Sequence, residues 1–119
     1  MPYLAVYGTL KKDRHNHYLL EDSIFLGKGT TTGALFYAPG GGYPMATGKP
    51  TENNNKIHVE VYSVPPEEFV NVSKLELPYG YYKETVLVEL EDGNLIDCAI
   101  WFHTLADNHT LEEIEDGVF

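Results

Sequence analysis

The chain is poor in cysteine, in basic residues and in long apolar runs. Cys98 is its single cysteine, which excludes an internal disulfide and says little about compartment. Eight lysines and arginines stand against 18 acidic residues, for a net charge of −10. That balance disfavours nucleic acid, whose phosphate backbone selects basic surfaces, and it equally disfavours an anionic membrane surface. No apolar run approaches the roughly 20 residues of a membrane-spanning helix, and the start lacks a secretory signal pattern; a soluble, cytoplasmic protein is expected. His15, His17, His58, His103 and His109 show no metal-ligand spacing and read as scattered surface residues. Gly40, Gly41 and Gly42 are followed by no Lys-Ser/Thr pair, so they make no phosphate loop. The residues offer neither a nucleophilic triad nor a cofactor motif.

What is present is a globular composition, 43% hydrophobic with nine tyrosines, in 119 residues. That length makes one domain, residues 1–119, large enough for a real core. The chain is organised around Leu4-Ala5-Val6-Tyr7-Gly8-Thr9-Leu10. Tyr3 to Tyr7 is a short apolar run of strand formers and reads as a strand buried on both faces. A strand that delivers a Gly-containing turn can aim successive main-chain N–H groups at one point, an anion cradle; Gly8 would allow a bend and a close approach. The alternative is an ordinary strand end with a Gly-Thr turn. The basic trio Lys11, Lys12 and Arg14 then reads as solvated rim.

Further along, Asn16 is positioned to cap a short helix that turns Leu19 and Leu20 inward. Strands are expected from Ile24, loosened by Gly27 and Gly29, and over Ala34–Tyr37, followed by an irregular loop from Pro39 to Pro44. Thr51–Lys56 reads as a solvated turn. Ile57 to Val64 alternates apolar residues with a half-polar face carrying Glu60; either the strand is buried on both faces, which puts the carboxylate in an unusual place, or, the reading slightly favoured, Glu60 sits at a rim with its carboxylate in water. Pro65-Pro66-Glu67-Glu68 starts a helix, with Phe69, Val72 and Leu75 at helical spacing and Pro78 ending it. A hairpin follows: Tyr81-Tyr82 and Thr85–Leu90, a turn at Glu91–Asn94, then Leu95–Phe102, with Cys98 a small core residue. Thr110–Asp116 is expected as a short acidic helix or a frayed tail. The sum is an α+β domain, several antiparallel strands and one main helix, with a sheet that curls toward a small barrel.

Glu76 stands out within this plan. Helix-end carbonyls repel an acid in the last turn, so a carboxylate there, between Leu75 and Leu77, is either fully solvated or kept for chemistry.

Val6-Tyr7-Gly8-Thr9-Leu10-Lys11, with Asn16-His17 and Leu20 after it, resembles the opening of the γ-glutamylcyclotransferase-like (AIG2-like) family, most of all the γ-glutamylamine cyclotransferases. Gly42-Tyr43-Pro44-Met45, Glu60-Val61-Tyr62-Ser63-Val64, and Leu75-Glu76 with Tyr82-Lys83-Glu84-Thr85-Val86 resemble three further family blocks, in order. Val59 departs from the glycine usual before Glu60, Ser73 and Lys74 from the aspartates before the acid, and Lys83-Glu84-Thr85 from the usual arginine. The resemblance implies a small mixed, largely antiparallel β-barrel with one main helix packed on it. It implies cyclisation of a γ-glutamyl group, from a γ-glutamyl amine or amino acid, to 5-oxoproline with release of the amine. Tyr7, Gly8, Thr9 and Leu10 would then bind the substrate, and Tyr82 would wall the pocket. Glu76 would be the general acid/base, its pKa raised by burial and by the helix-end carbonyls. No metal or cofactor is implied, the partner is a small γ-glutamyl molecule, and a monomer or weak homodimer is expected. A non-catalytic small-ligand or protein-binding module on the same fold is the competing class.

Overall fold

The computed structural model describes residues 2–52 and 55–119; the Thr51–Lys56 turn expected above thus lies partly outside the described residues, at Asn53 and Asn54. Seven strands are described: β1 (Tyr3–Val6), β2 (Ile24–Thr32), β3 (Ala34–Tyr37), β4 (Pro44–Thr47), β5 (Lys56–Ser63), β6 (Tyr81–Leu90) and β7 (Leu95–His103). The main helix is α1 (Pro66–Glu76), and α2 is a single turn (Thr104–Asp107). Short 3-10 segments occupy His17–Leu20 and Leu77–Tyr79.

Five strands close a barrel in the order β1-β5-β2-β6-β7. All its described pairings are antiparallel except the closure, where β1 meets β7 in parallel at Leu4 and Ala99. Strand β2 carries a bulge between Phe25 and Gly27, so the glycines here bend the strand rather than end it. The β3–β4 hairpin forms a separate two-stranded sheet.

Alternate residues of the strands feed two packed clusters. Ala5, Val59, Val61, Val88, Cys98 and Ile100 belong to one; Leu4, Val6, Tyr62, Val72, Tyr81 and Trp101 belong to the other. Strand β1 thus contributes to both clusters, as its continuous apolar run requires. Helix α1 begins with Pro65 as the extended cap and Glu67 and Glu68 in the first turn, where the helix dipole favours acids. Glu68 turns inward and accepts from Asp22 N–H at 2.9 Å and Ser23 Oγ at 2.6 Å, which ties α1 to the start of β2.

Several expectations need correction. Glu60 is not at a solvated rim: it is buried, at 9% exposure. Asn16 precedes the 3-10 turn but makes no side-chain cap; its amide is used elsewhere. Strand β4 was not anticipated, because Pro44 and the glycines before it read as loop. The segment after Thr110 is neither helix nor frayed tail. It lies along β3, with Tyr37 N–H donating to Glu112 C=O and Ile114 N–H to Leu35 C=O, each at 2.8 Å, and Ile114 is buried. The expected Lys11–Arg14 rim is partly engaged: Lys11 Nζ and an Arg14 guanidinium nitrogen both donate to the Phe119 carbonyl at 2.8 Å. His103 is buried too. Its Nδ1 accepts from Leu105 N–H at 3.1 Å and caps α2, which leaves Nε2–H to donate to Tyr79 C=O at 2.8 Å.

Candidate active site

The ladder of β1 stops at Val6, and the chain turns away from the sheet through Tyr7, Gly8, Thr9 and Leu10. The carbonyls of this turn are engaged. Lys11 N–H donates to Gly8 C=O at 3.0 Å, and Asn16 N–H to Thr9 C=O at 3.0 Å. His17 Nδ1–H donates to Leu10 C=O at 2.8 Å. The amide N–H groups of Gly8, Thr9 and Leu10 have no partner among the described residues. Free successive donors beside a cavity are what anion binding by main chain needs.

Gly8 owes its place to crowding rather than to a special φ. A Cβ there would stand 2.7 Å from Pro44 Cγ and 3.0 Å from Pro44 Cδ. The Tyr-Gly-Thr-Leu block and the Tyr-Pro block of the sequence thus meet face to face across the cavity wall.

That cavity has a volume of about 320 Å³, at the low end of the roughly 300–1,000 Å³ of small-molecule pockets. Tyr7, Gly8, Thr9 and Leu10 line one side, and Glu76, at the last position of α1, lines it too. Residues 66 positions apart in sequence, Leu10 and Glu76, therefore share one space. Among the described residues the Glu76 carboxylate makes no hydrogen bond or ion pair, although it acts electrostatically on Tyr7 and Tyr81. Burial raises its pKa from an ordinary 4.5 to about 7, because a charged carboxylate in low dielectric loses its hydration.

Tyrosines shape the surroundings. The Tyr7 hydroxyl donates to the Trp101 carbonyl. Its pKa is driven well above the ordinary phenol value by burial first, then by Tyr81 and Glu76, so it stays a neutral hydroxyl. Tyr81 lines the cavity and donates to Pro44 C=O at 2.8 Å, fixing the ring against the same proline that Gly8 admits. Tyr43, Tyr79 and Trp101 complete the aromatic lining.

Tyr82 is placed elsewhere. It is not among the residues lining the cavity; its hydroxyl donates to Asp107 at 3.1–3.2 Å and its ring packs edge-on against Phe102. Strand alternation decides this, since neighbours on β6 point to opposite faces. Tyr81 was not singled out from the sequence, although two tyrosines in succession left one of them for each face. The departures from the family blocks also fall away from the cavity. Val59 is buried in the core, Ser73 Oγ donates to Phe69 C=O at 3.0 Å, and Lys83 Nζ sits 5.2 Å over the Phe69 ring.

Residues 4–119 match the family model described as gamma-glutamyl cyclotransferase, AIG2-like. The chain belongs to that family. It is 33% identical over 78 residues to a Pyrococcus horikoshii protein, covering 66% of this chain and 62% of that one. It is 36% identical over 92 residues to a Bacillus subtilis protein, covering 76% of this chain and 31% of that one. Both bear the name "Putative gamma-glutamylcyclotransferase". In these alignments the chain spans less than two thirds of either relative's length. A mouse AIG2-like protein has the same fold, with a TM-score of 0.81 at 23% identity, covering 97% of this chain and 86% of that one.

Proposed function

We propose that the protein is a γ-glutamylcyclotransferase-type enzyme that converts a γ-glutamyl amine or γ-glutamyl amino acid to 5-oxoproline and a free amine. The observation that carries the reading is the shared cavity, lined by unspent main-chain donors and by a carboxylate whose pKa is near 7. The reaction is intramolecular, so the protein has no need of a nucleophile. The Gly8–Leu10 amides hold the substrate's α-carboxylate, which turns the α-amine toward the γ-carbonyl and removes the entropy barrier to ring closure. Glu76 takes a proton from the α-ammonium. The freed amine nitrogen bonds to the γ-carbon, the bond from that carbon to the leaving nitrogen breaks, and Glu76 returns the proton to the leaving nitrogen; the ring nitrogen gives up its second proton to the departing amine, so that 5-oxoproline keeps one N–H and the amine leaves as an ammonium. A pKa near 7 suits both halves better than an ordinary carboxylate would, because the same group must accept and then donate.

Among the described residues the cavity lining contains no lysine or arginine. A leaving amino acid would bring a second carboxylate with only His15 and Asn16 of the lining to meet it, whereas a simple amine would bring none. This favours γ-glutamyl amines. The test is a panel of γ-glutamyl amines and γ-glutamyl amino acids assayed for released 5-oxoproline. Turnover of the amines above the amino acids is expected. No 5-oxoproline from any member would refute the reading.

A further inference from the structure

Two stretches of the sequence blocks, Asn16-His17 and Glu60-Val61-Tyr62, supply no reacting group to this chemistry. The structure puts them together against the turn, with Asn16 also at the cavity lining. Asn16 holds Thr9 twice, by its N–H to the Thr9 carbonyl at 3.0 Å and by its side-chain amide to Thr9 Oγ1 at 2.9 Å. His17 holds the Leu10 carbonyl at 2.8 Å, and its ring packs against Tyr62 with centroids 5.6 Å apart. The Tyr62 hydroxyl donates to Glu60 Oε1 at 2.9 Å, and the same oxygen accepts from Lys12 N–H at 2.9 Å. Glu60 itself is fixed in the barrel, opposite Val6 of β1 on one side and Lys28 of β2 on the other.

Two facts give this arrangement meaning. Every contact fastens the turn by a carbonyl, a hydroxyl or the amide of Lys12, and leaves the Gly8, Thr9 and Leu10 amides unspent. In addition, Glu60 is buried to 9% exposure and one of its oxygens accepts at once from the barrel, through Tyr62, and from the turn, through Lys12 N–H, while Lys11 is its charged neighbour, so a single side chain ties the turn to the barrel. We propose that Glu60, Tyr62, His17 and Asn16 form one positioning network that presets the cradle amides for the substrate carboxylate, so that it governs substrate affinity and not the proton-transfer step. The inference rests on the γ-glutamyl reading for its substrate, but not for its effect on the turn.

The test compares Glu60→Gln, which keeps an acceptor oxygen, with Glu60→Leu, which fills similar space without one. Glu60→Leu should raise KM for the γ-glutamyl substrate by roughly tenfold, the scale of losing hydrogen bonds to a charged group, with kcat within about twofold. Glu60→Gln should recover most of that affinity. Amide hydrogen exchange across residues 7–12 should quicken in Glu60→Leu while exchange in β6 is unchanged. Should Glu60→Leu not fold, His17→Phe keeps the ring against Tyr62, removes the donor to Leu10, and carries the same expectations. Unchanged KM and unchanged exchange at the turn would overturn the proposal, as would a Gln variant as impaired as the Leu variant or a loss confined to kcat. A wild-type protein that releases no 5-oxoproline would refute the γ-glutamyl reading alone, because the exchange measurement still decides whether the network holds the turn.

Discussion

Glu76 combines two demands that pull against each other. The proton transfer proposed for it wants a carboxylate whose pKa approaches neutrality, and burial raises it to about 7. The same burial disfavours the ionised form in the fold, so stability must depend on pH. Between the ordinary 4.5 and about 7, the folded state holds this proton more tightly than the unfolded state does. Stability contributed by the neutral acid is therefore full below about 4.5 and is lost as pH rises through about 7, by on the order of 2–3 kcal/mol. Glu76→Gln removes this dependence. The variant should melt at a higher temperature than the wild type at pH 8 and show little difference at pH 4.5, measured by thermal denaturation at both values. Activity runs the other way. Since the free enzyme needs an ionised base, kcat/KM should rise with pH and level off above about 7; a rate profile flat between pH 5 and 8 would contradict the assignment. The candidate base was legible because a lone acid at a helix end breaks the dipole rule. The pocket tyrosine was not, because the choice between Tyr81 and Tyr82 depends on strand phase, which a pair of like residues does not reveal.

At the scale of elements, the site is a junction of three: the turn after β1, the entry to β4, and the end of α1. Gly8 and Pro44 are in close contact, so Gly8→Ala must push Pro44 aside or shift the turn. A cost of about 1–3 kcal/mol is expected from such overpacking, together with a raised KM, read from denaturant melts and 5-oxoproline kinetics; a fully stable, fully active Gly8→Ala would show that the contact gives way freely. The strands with strong alternation or continuous apolar runs, β1, β5, β6 and β7, could be read from sequence, as could α1 with its prolines and acids at the start. Strand β4 could not, since its four residues, Pro44–Thr47, begin at a proline and follow glycines. The segment after Thr110 pairs with β3 through Phe36 and Glu113, 77 residues apart along the chain, and no local pattern encodes a partner that distant. Glu60 was misplaced for a related reason: alternation identifies a face, but not what packs over it.

At the scale of the whole molecule, closure of the barrel by the parallel β1–β7 contact brings the opening residues of the chain against Trp101 and the other wall of the cavity. Leu4 sits in that contact and is wholly buried. Leu4→Ala should destabilise the protein by about 2–5 kcal/mol, seen in urea unfolding, and should weaken substrate binding by loosening the base of the turn; a loss of stability well under 1 kcal/mol would mean that closure contributes little. The central claim is that one cavity divides its work, main-chain amides binding the substrate and Glu76 moving the proton. Glu76→Gln tests it most directly, since the change preserves shape and hydrogen bonding but abolishes proton uptake. The measurement is 5-oxoproline release from a γ-glutamyl amine alongside the affinity of a non-cleavable γ-glutamyl analogue, with the exposed Glu84 changed to Gln as control. Turnover should fall by roughly 10²-fold or more, analogue affinity should stay within a few-fold, and Glu84→Gln should behave as wild type. Full turnover in Glu76→Gln, or an equal loss of binding and turnover, would contradict the account.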